Sequence, residues 1–228
     1  MNDENVVCIS VVGRTLESFL LQLKKSQELS NFVELRVDWI QNINVMKLNA
    51  IARNTNKKSI LCCRSRSEGG NFKGTFEKKN EILQMGNTLG FDYLDIDLVT
   101  ANRITIHNKK SKFILSYHNF VETPDLKNLE MIMMHMRNFN PDVLKISVMI
   151  NSQIDVKILF QLLLNKRKDE NVIVLGMGKK GRIVRLLAPL FGGYLTFSSL
   201  EEETQSAPGQ IPYRMMKKFY RNLKKILH

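Results

Sequence analysis

The chain has 228 residues, 43% hydrophobic and 25% charged, the balance of a globular protein large enough to bury one substantial core. With 12 glycines and 5 prolines it is no linker or fibrous protein, and no apolar run reaches the roughly 18 residues of a membrane span; Val156–Leu164 is interrupted by Lys157 and Gln161. The net charge of +12 is spread over pairs such as Lys24-Lys25, Lys109-Lys110 and Lys217-Lys218, without the interleaved aromatics of a stacking platform, so it reads as solvated helix faces rather than a nucleic-acid surface.

The chain opens on Met1-Asn2-Asp3-Glu4-Asn5, which lacks the basic and apolar regions of a secretory signal. Val6–Val12 is then the first of eight apolar, β-branched runs of strand length. The others are Phe32–Trp39, Ser59–Ser65, Tyr93–Thr100, Lys112–Phe120, Val143–Ile150, Asn171–Gly178 and Tyr194–Leu200. Three cysteines, Cys8, Cys62 and Cys63, fall inside these runs. An odd count with two adjacent argues for buried thiols in a reducing, cytoplasmic compartment, not a disulfide framework, and no Cys/His spacing suits zinc.

Between the strands lie segments of helical period. Leu16–Leu29 puts Leu16, Phe19, Leu20 and Leu23 on one face. Thr123-Pro124 predicts an N-cap and N1 for a helix running to Phe139. Ile154–Lys168, Lys179–Phe191 and a strongly basic segment from about Ile211 to Leu227 complete the set. Strands and helices alternating in this way predict a single (β/α)8 TIM barrel over residues 1–228. The rival, an open doubly wound sheet, usually carries a glycine-rich turn after its first strand, where this chain has Val11-Val12-Gly13-Arg14-Thr15.

Charged residues at period two are the informative anomaly. Glu34, Arg36 and Asp38 share one parity, as do Asp95 with Asp97, Ser116 with His118, and Lys145 with Ser147. If the apolar parity faces the helices, these groups converge inside the barrel, where charge must pair or serve a ligand. For Asp38, Asp95 and Asp97 a structural ion-pair network and a ligand site fit equally well. For Lys145 the functional reading is stronger: burial disfavours the ammonium form, and a neutral amine adds to carbonyls to give a Schiff base. His118 on the neighbouring strand is then the natural proton shuttle. His107, His135 and His228 read as surface or packing residues. Arg64 to Gly70 is a loop whose Gly69-Gly70 lets backbone approach a ligand, and Ser206-Ala207-Pro208-Gly209-Gln210 is either a lid or an ordinary loop. Arg185 is either a surface arginine or an anion clamp.

Taken together, the segments resemble the type I 3-dehydroquinate dehydratase family of the shikimate pathway, from Val6 to about Pro212. The motifs that carry the resemblance, in order, are Glu34-Leu35-Arg36-Val37-Asp38, Arg64 to Gly70, Tyr93-Leu94-Asp95-Ile96-Asp97-Leu98, Ser116 to Phe120 followed by Thr123-Pro124, Asp142 to Lys145, Met177-Gly178 with Gly181 and Arg185, Phe191-Gly192, and Ser206 to Gln210. The resemblance implies that Lys145 forms an imine with the C3 ketone of 3-dehydroquinate. His118 then moves the C2 proton and helps the C1 hydroxyl leave, and Glu68 holds and polarises His118. It further implies that Arg185, Ser206 and Gln210 bind the substrate carboxylate and adjoining hydroxyl, that Glu34, Arg36 and Arg64 bind the ring hydroxyls, and that Ser10 on the first strand belongs to the site. No cofactor or metal is implied, and the partner is a small molecule, not a nucleic acid or a membrane. A homodimer is common in the family, and some members are fused to shikimate dehydrogenase. Asp97 stands where the family more often has Glu, and Gly176 and Gly193 stand where Ser is common. The competing readings are a class I aldolase, which would hold a phosphate near strands seven and eight, and a basic scaffold or RNA-binding barrel.

Overall fold

The computed structural model describes residues 6–227; the polar stretch Met1–Asn5 and His228 lie outside them. Eight parallel strands form one sheet in the order β7-β6-β5-β4-β3-β2-β1-β8. They are β1 Val7–Val11, β2 Phe32–Arg36, β3 Lys58–Cys62, β4 Tyr93–Asp97, β5 Lys112–Asn119, β6 Val143–Met149, β7 Val172–Met177 and β8 Thr196–Ser199. The sheet curls until β7 and β8 meet, where the Tyr194 amide donates to the Val172 carbonyl at 2.8 Å. The fold is the expected (β/α)8 barrel.

Six of the helices start where a small polar side chain satisfies a free amide of the first turn. Thr15 caps α1 (Leu16–Leu29) in a reciprocal box with Ser18, Asn44 caps α2 (Val45–Asn54), and Thr75 caps α3 (Phe76–Leu89). Asp97 caps the single turn α4 (Leu98–Ala101). Ser152 caps α6 (Gln153–Leu164). The helix α5 spans Leu126–Arg137, and its cap is Asp125, not Thr123. The Thr123 hydroxyl instead donates to the Met149 carbonyl at 2.7 Å, tying this loop to the end of β6. The expected helix over Lys179–Phe191 is three pieces: 3-10 turns at Lys179–Gly181 and Ala188–Phe191 flank α7 (Arg182–Leu187). The last helix, α8, runs Tyr213–Leu227.

Period two sorts the strand side chains as the sequence predicts. Val33, Leu35, Leu94 and Ile96 pack outward under α1–α3, and Leu144, Ile146, Val148 and Val174 pack under α5–α7. The inward parity has two tiers. Cys8, Phe32, Ile60, Tyr93, Ile114, Val143, Ile173 and Phe197 fill the lower barrel as an apolar plug. One step further along β1 to β6 stand Ser10, Glu34, Cys62, Asp95, Ser116 and Lys145, all buried. The polar tier therefore lies toward the C-terminal ends of the strands, the end at which barrel enzymes place their sites.

Two of the expected interior acids are not in that tier. After Arg36 the chain turns into a 3-10 helix, Val37–Trp39, so period two ends and Asp38 swings back as a bidentate partner for Arg36, 2.8 Å from both Nε and Nη2. Asp97 ends β4 and pairs with Lys79 of α3. Both carboxylates thus meet a cation of the chain itself.

Candidate active site

At the barrel mouth, Lys145 Nζ lies 2.7 Å from Asp95 Oδ2 and 3.4 Å from Glu34 Oε1, and 4.2 Å from the centre of the Phe197 ring below it. This corrects the picture of a lone interior amine with a lowered pKa. Burial does disfavour the ammonium, but Asp95 and Glu34 outweigh it and the Lys145 pKa is raised. The resting amine is charged, held by two carboxylates. Asp95 is itself kept far below the usual carboxylate range: burial opposes its charge, yet Arg64 at 2.8 Å and Lys145 prevail. The Ser116 hydroxyl also donates to Asp95, at 2.6 Å.

His118 follows on β5, paired in register with Ser147 just above Lys145. Its Nδ1 is 3.2 Å from Glu68 Oε2, and Arg64 Nη1 stands against the ring, 2.7 Å from Nδ1 and 2.8 Å from Nε2. Burial first, then the charges of Arg64 and Lys145, hold His118 well below the usual imidazole range. The neutral imidazole is therefore the form present near neutrality. Burial and nearby Asp97 push Glu68 up to about 7, against the pull of Arg64 and Lys79. Phe120 stacks on the imidazole at 6.2 Å between ring centres and covers Gly69, whose left-handed backbone (φ 71) and lack of Cβ let the ring lie there.

The loop after β8 lies over this mouth. Gln210 Oε1 accepts from the Ser206 amide at 2.6 Å and from its hydroxyl at 3.2 Å. Gln210 Nε2 donates to Ser10 Oγ at 3.0 Å, and Ser10 Oγ donates to Glu34 Oε2 at 2.6 Å. Arg36 Nη1 donates to the Ser206 carbonyl at 3.3 Å. Gly209, with φ 78, sits so close to Gly178 that a Cβ would come within 2.2 Å of its carbonyl oxygen. Gly209→Ala should therefore hold the loop off the mouth. We expect a fall in kcat/KM of about 10-fold or more with an unchanged far-ultraviolet spectrum, and faster proteolysis after Glu201.

Arg185, one turn into α7, is 1% exposed. Among the described residues its Nε has no hydrogen-bond partner, and Nη2 reaches only the Pro208 carbonyl at 3.5 Å. Burial lowers its pKa to about 10, which still leaves it cationic. A buried guanidinium without a carboxylate is costly unless an anion completes it. The placement of α7 depends on Gly176: a Cβ there would come within 2.7 Å of Gly181 Cα, so β7 and the turn before α7 meet backbone to backbone.

The ten residues singled out in the sequence thus surround one cavity. Glu34, Arg36, Arg64, His118, Lys145, Arg185, Ser206 and Gln210 line it, Ser10 joins through Glu34 and Gln210, and Glu68 joins through His118. His107 and His135 lie elsewhere; His135 packs edge-on against Phe139. Asp95, the main partner of Lys145, was not among the ten. Its interior parity was visible, but nothing local shows which strand's cation it meets. The Glu34, Asp95 and Cys62 side chains approach within 4.8 Å of one another, as metal ligands would. Lys145, Arg64 and Ser10 already occupy the two carboxylates, and burial pushes the Cys62 thiol up to about 12.

Fold and site together define a (β/α)8-barrel enzyme with an amine, an imidazole and an uncompensated guanidinium around one small, covered pocket. The sequence model of the type I 3-dehydroquinase family matches residues 7–226. A 3-dehydroquinate dehydratase from Coxiella burnetii is 54% identical over 220 residues, 96% of this chain and 94% of the relative. The crystal structure of the 3-dehydroquinate dehydratase from Geobacillus kaustophilus superposes with a TM-score of 0.88 at 25% identity, covering 97% of this chain and 92% of that one. That from Aquifex aeolicus gives 0.81 at 30%, covering 95% and 99%. The chain belongs to the type I 3-dehydroquinase family, hydro-lyases of the shikimate pathway acting on 3-dehydroquinate. No helix among the described residues is long and apolar enough to cross a membrane.

Proposed function

We propose that the chain, as one catalytic domain over residues 1–228, dehydrates 3-dehydroquinate to 3-dehydroshikimate through a Schiff base on Lys145. The amine gives up its proton, adds to the C3 ketone and expels water, leaving a protonated imine. That imine draws electrons, so the C2–H becomes acidic and His118 takes its proton. The electron pair enters the ring as an enamine and expels the C1 hydroxyl, which His118 protonates as it leaves as water. Hydrolysis of the imine consumes one water and returns the amine, so the net change is loss of one water. Glu68 orients His118 and balances the imidazolium that forms in the cycle.

The observation that carries this reading is the pairing of a buried amine with a neutral imidazole on adjacent strands of one cavity. Lys79 and Lys145 are the buried lysines among the described residues, and of the two Lys145 alone lines the cavity. The test is borohydride reduction with 3-dehydroquinate present, followed by peptide mapping. The reading requires an adduct on Lys145 and loss of activity. An adduct on another lysine, or none in an active enzyme, overturns it.

Arg185 supplies the anion site, with Ser206 and Gln210 of the covering loop beside it, and Glu34, Arg36, Arg64 and Ser10 face the hydroxyls. An ammonium cannot reproduce the guanidinium fork, so Arg185→Lys should raise KM about 10-fold or more. Lys217→Met removes a whole charge from the outer side of α8, where Lys217 lies over Tyr213, and should leave KM unchanged. Equal small effects in the two variants would place the carboxylate elsewhere.

The pH dependence follows from the two shifted groups. His118 titrates too low to limit activity near neutrality, whereas Glu68 titrates at about 7. As pH falls through that value Glu68 gains a proton and loses its hold on His118. We expect kcat/KM to break near pH 7, and the break to vanish in Glu68→Gln.

A further inference from the structure

The loop that carries Glu68 is fastened at its root to a buried ion pair for which the reaction steps above have no use. Lys79, in the first turn of α3, is 2% exposed, and Asp97, at the end of β4, is 4% exposed. Besides its bond to Asp97, Lys79 Nζ donates to Thr100 Oγ1 at 2.8 Å and to Ser65 Oγ at 3.0 Å. Asp97 in turn accepts from the Thr100 amide at 2.8 Å and from its hydroxyl at 2.9 Å. Ser65 directly follows Arg64, and its carbonyl accepts from the amides of Glu68 at 3.0 Å and Gly70 at 2.9 Å. The ammonium thus ends on the residue from which the Glu68 turn is built.

Apolar side chains would fasten a loop root at least as well as a buried ion pair, whose desolvation is costly. Two opposite charges do something apolar groups do not: they act on the ionisation of a neighbour. The neighbour here is Glu68. The charged groups facing it are Asp97, Arg64, Lys79 and Asp95, together with the neutral but titratable His118. Asp97 disfavours its carboxylate more than any other side chain does, and Lys79 favours it.

We infer that Lys79 and Asp97 form a positioning pair for Glu68: Asp97 holds the Lys79 ammonium, and Lys79 holds Ser65, the residue from which the Glu68 turn is built. This rests on the reading of Glu68 as the group that holds His118, and it adds two residues that touch neither substrate nor reacting atoms.

The test compares kcat/KM against pH in four purified enzymes: wild type, Lys79→Met, Asp97→Asn and Lys79→Arg. Removing the cation leaves Asp97 facing Glu68, so the break near pH 7 should move up by about one pH unit in Lys79→Met. Removing the anion leaves Lys79, so the break should move down by about one unit in Asp97→Asn. Lys79→Arg keeps the charge and should return the break to within a few tenths of wild type. Borohydride trapping should still mark Lys145 in every variant. A clamp with only a structural role would lower turnover without moving the break, or move it the same way in both neutral variants; either result overturns the inference. If Lys79→Met does not fold, Asp97→Asn decides alone, because Lys79 keeps Ser65 and Thr100 there: a break that stays or rises refutes the pairing. The Glu68 reading fails separately, if Glu68→Gln keeps the wild-type break, and the dehydratase reading fails separately again, if wild type shows no turnover.

Discussion

Lys145→Ala is expected to abolish turnover, with kcat falling on the order of 10⁴-fold or more, the scale for removing a covalent nucleophile. Neighbouring groups cannot replace it. The other buried lysine, Lys79, is tied to Asp97, Thr100 and Ser65, and the delocalised guanidiniums of Arg64 and Arg185 do not add to a ketone as an amine does. The variant should still fold. Asp95 keeps Arg64 at 2.8 Å and Ser116 at 2.6 Å, and Glu34 keeps Ser10 at 2.6 Å, so neither acid is left without a partner. Some stability is nonetheless lost, because a buried negative charge is no longer compensated. Steady-state assay with a thermal melt separates the two effects. A folded Lys145→Ala enzyme that retains more than about a hundredth of wild-type kcat would rule out the imine.

His118→Ala should behave differently. The amine is intact, so the imine forms, but the C2 proton has no acceptor. A general acid–base group contributes about 10²–10⁴-fold, and kcat should fall within that range while the covalent intermediate accumulates. Borohydride should therefore trap more adduct in this variant than in wild type during turnover. Glu68 does not substitute: it meets the imidazole, at 3.2 Å, and does not itself line the cavity. A wild-type rate in His118→Ala, or a variant that forms no adduct at all, would remove His118 from the role of base.

These outcomes bear on residues that were legible from the chain alone to different degrees. The barrel follows from local pattern. Eight β-branched runs separated by capped amphipathic helices leave few alternatives, because parallel strands need crossovers and period two decides which side chains face the helices. That same period placed Glu34, Lys145 and His118 on the inner face. Boundaries were less legible where backbone departs from regular geometry. Val37–Trp39 turns into a 3-10 helix and takes Asp38 out of the strand, Leu98–Ala101 leaves β4 for a single helical turn, and Asp125 outcompetes Thr123 as the cap of α5.

Partnership was not legible, because it depends on register between strands and on distances across the barrel. Lys145 reads locally as an unaccompanied amine that burial would neutralise. In the folded chain Asp95, 50 positions earlier, and Glu34, 111 positions earlier, reach its ammonium, and their charges reverse the sign of the shift. Arg185 reads equally as surface or clamp until α7 is seen buried against β7 through Gly176 and Gly181. Only the packing of α3 against the end of β4 shows that Lys79 is buried on Asp97. Local sequence sets which face a side chain points to, since that depends on φ, ψ and period. The charge state of a buried group depends on every charge within a few ångströms, and those charges are assembled only when the barrel closes.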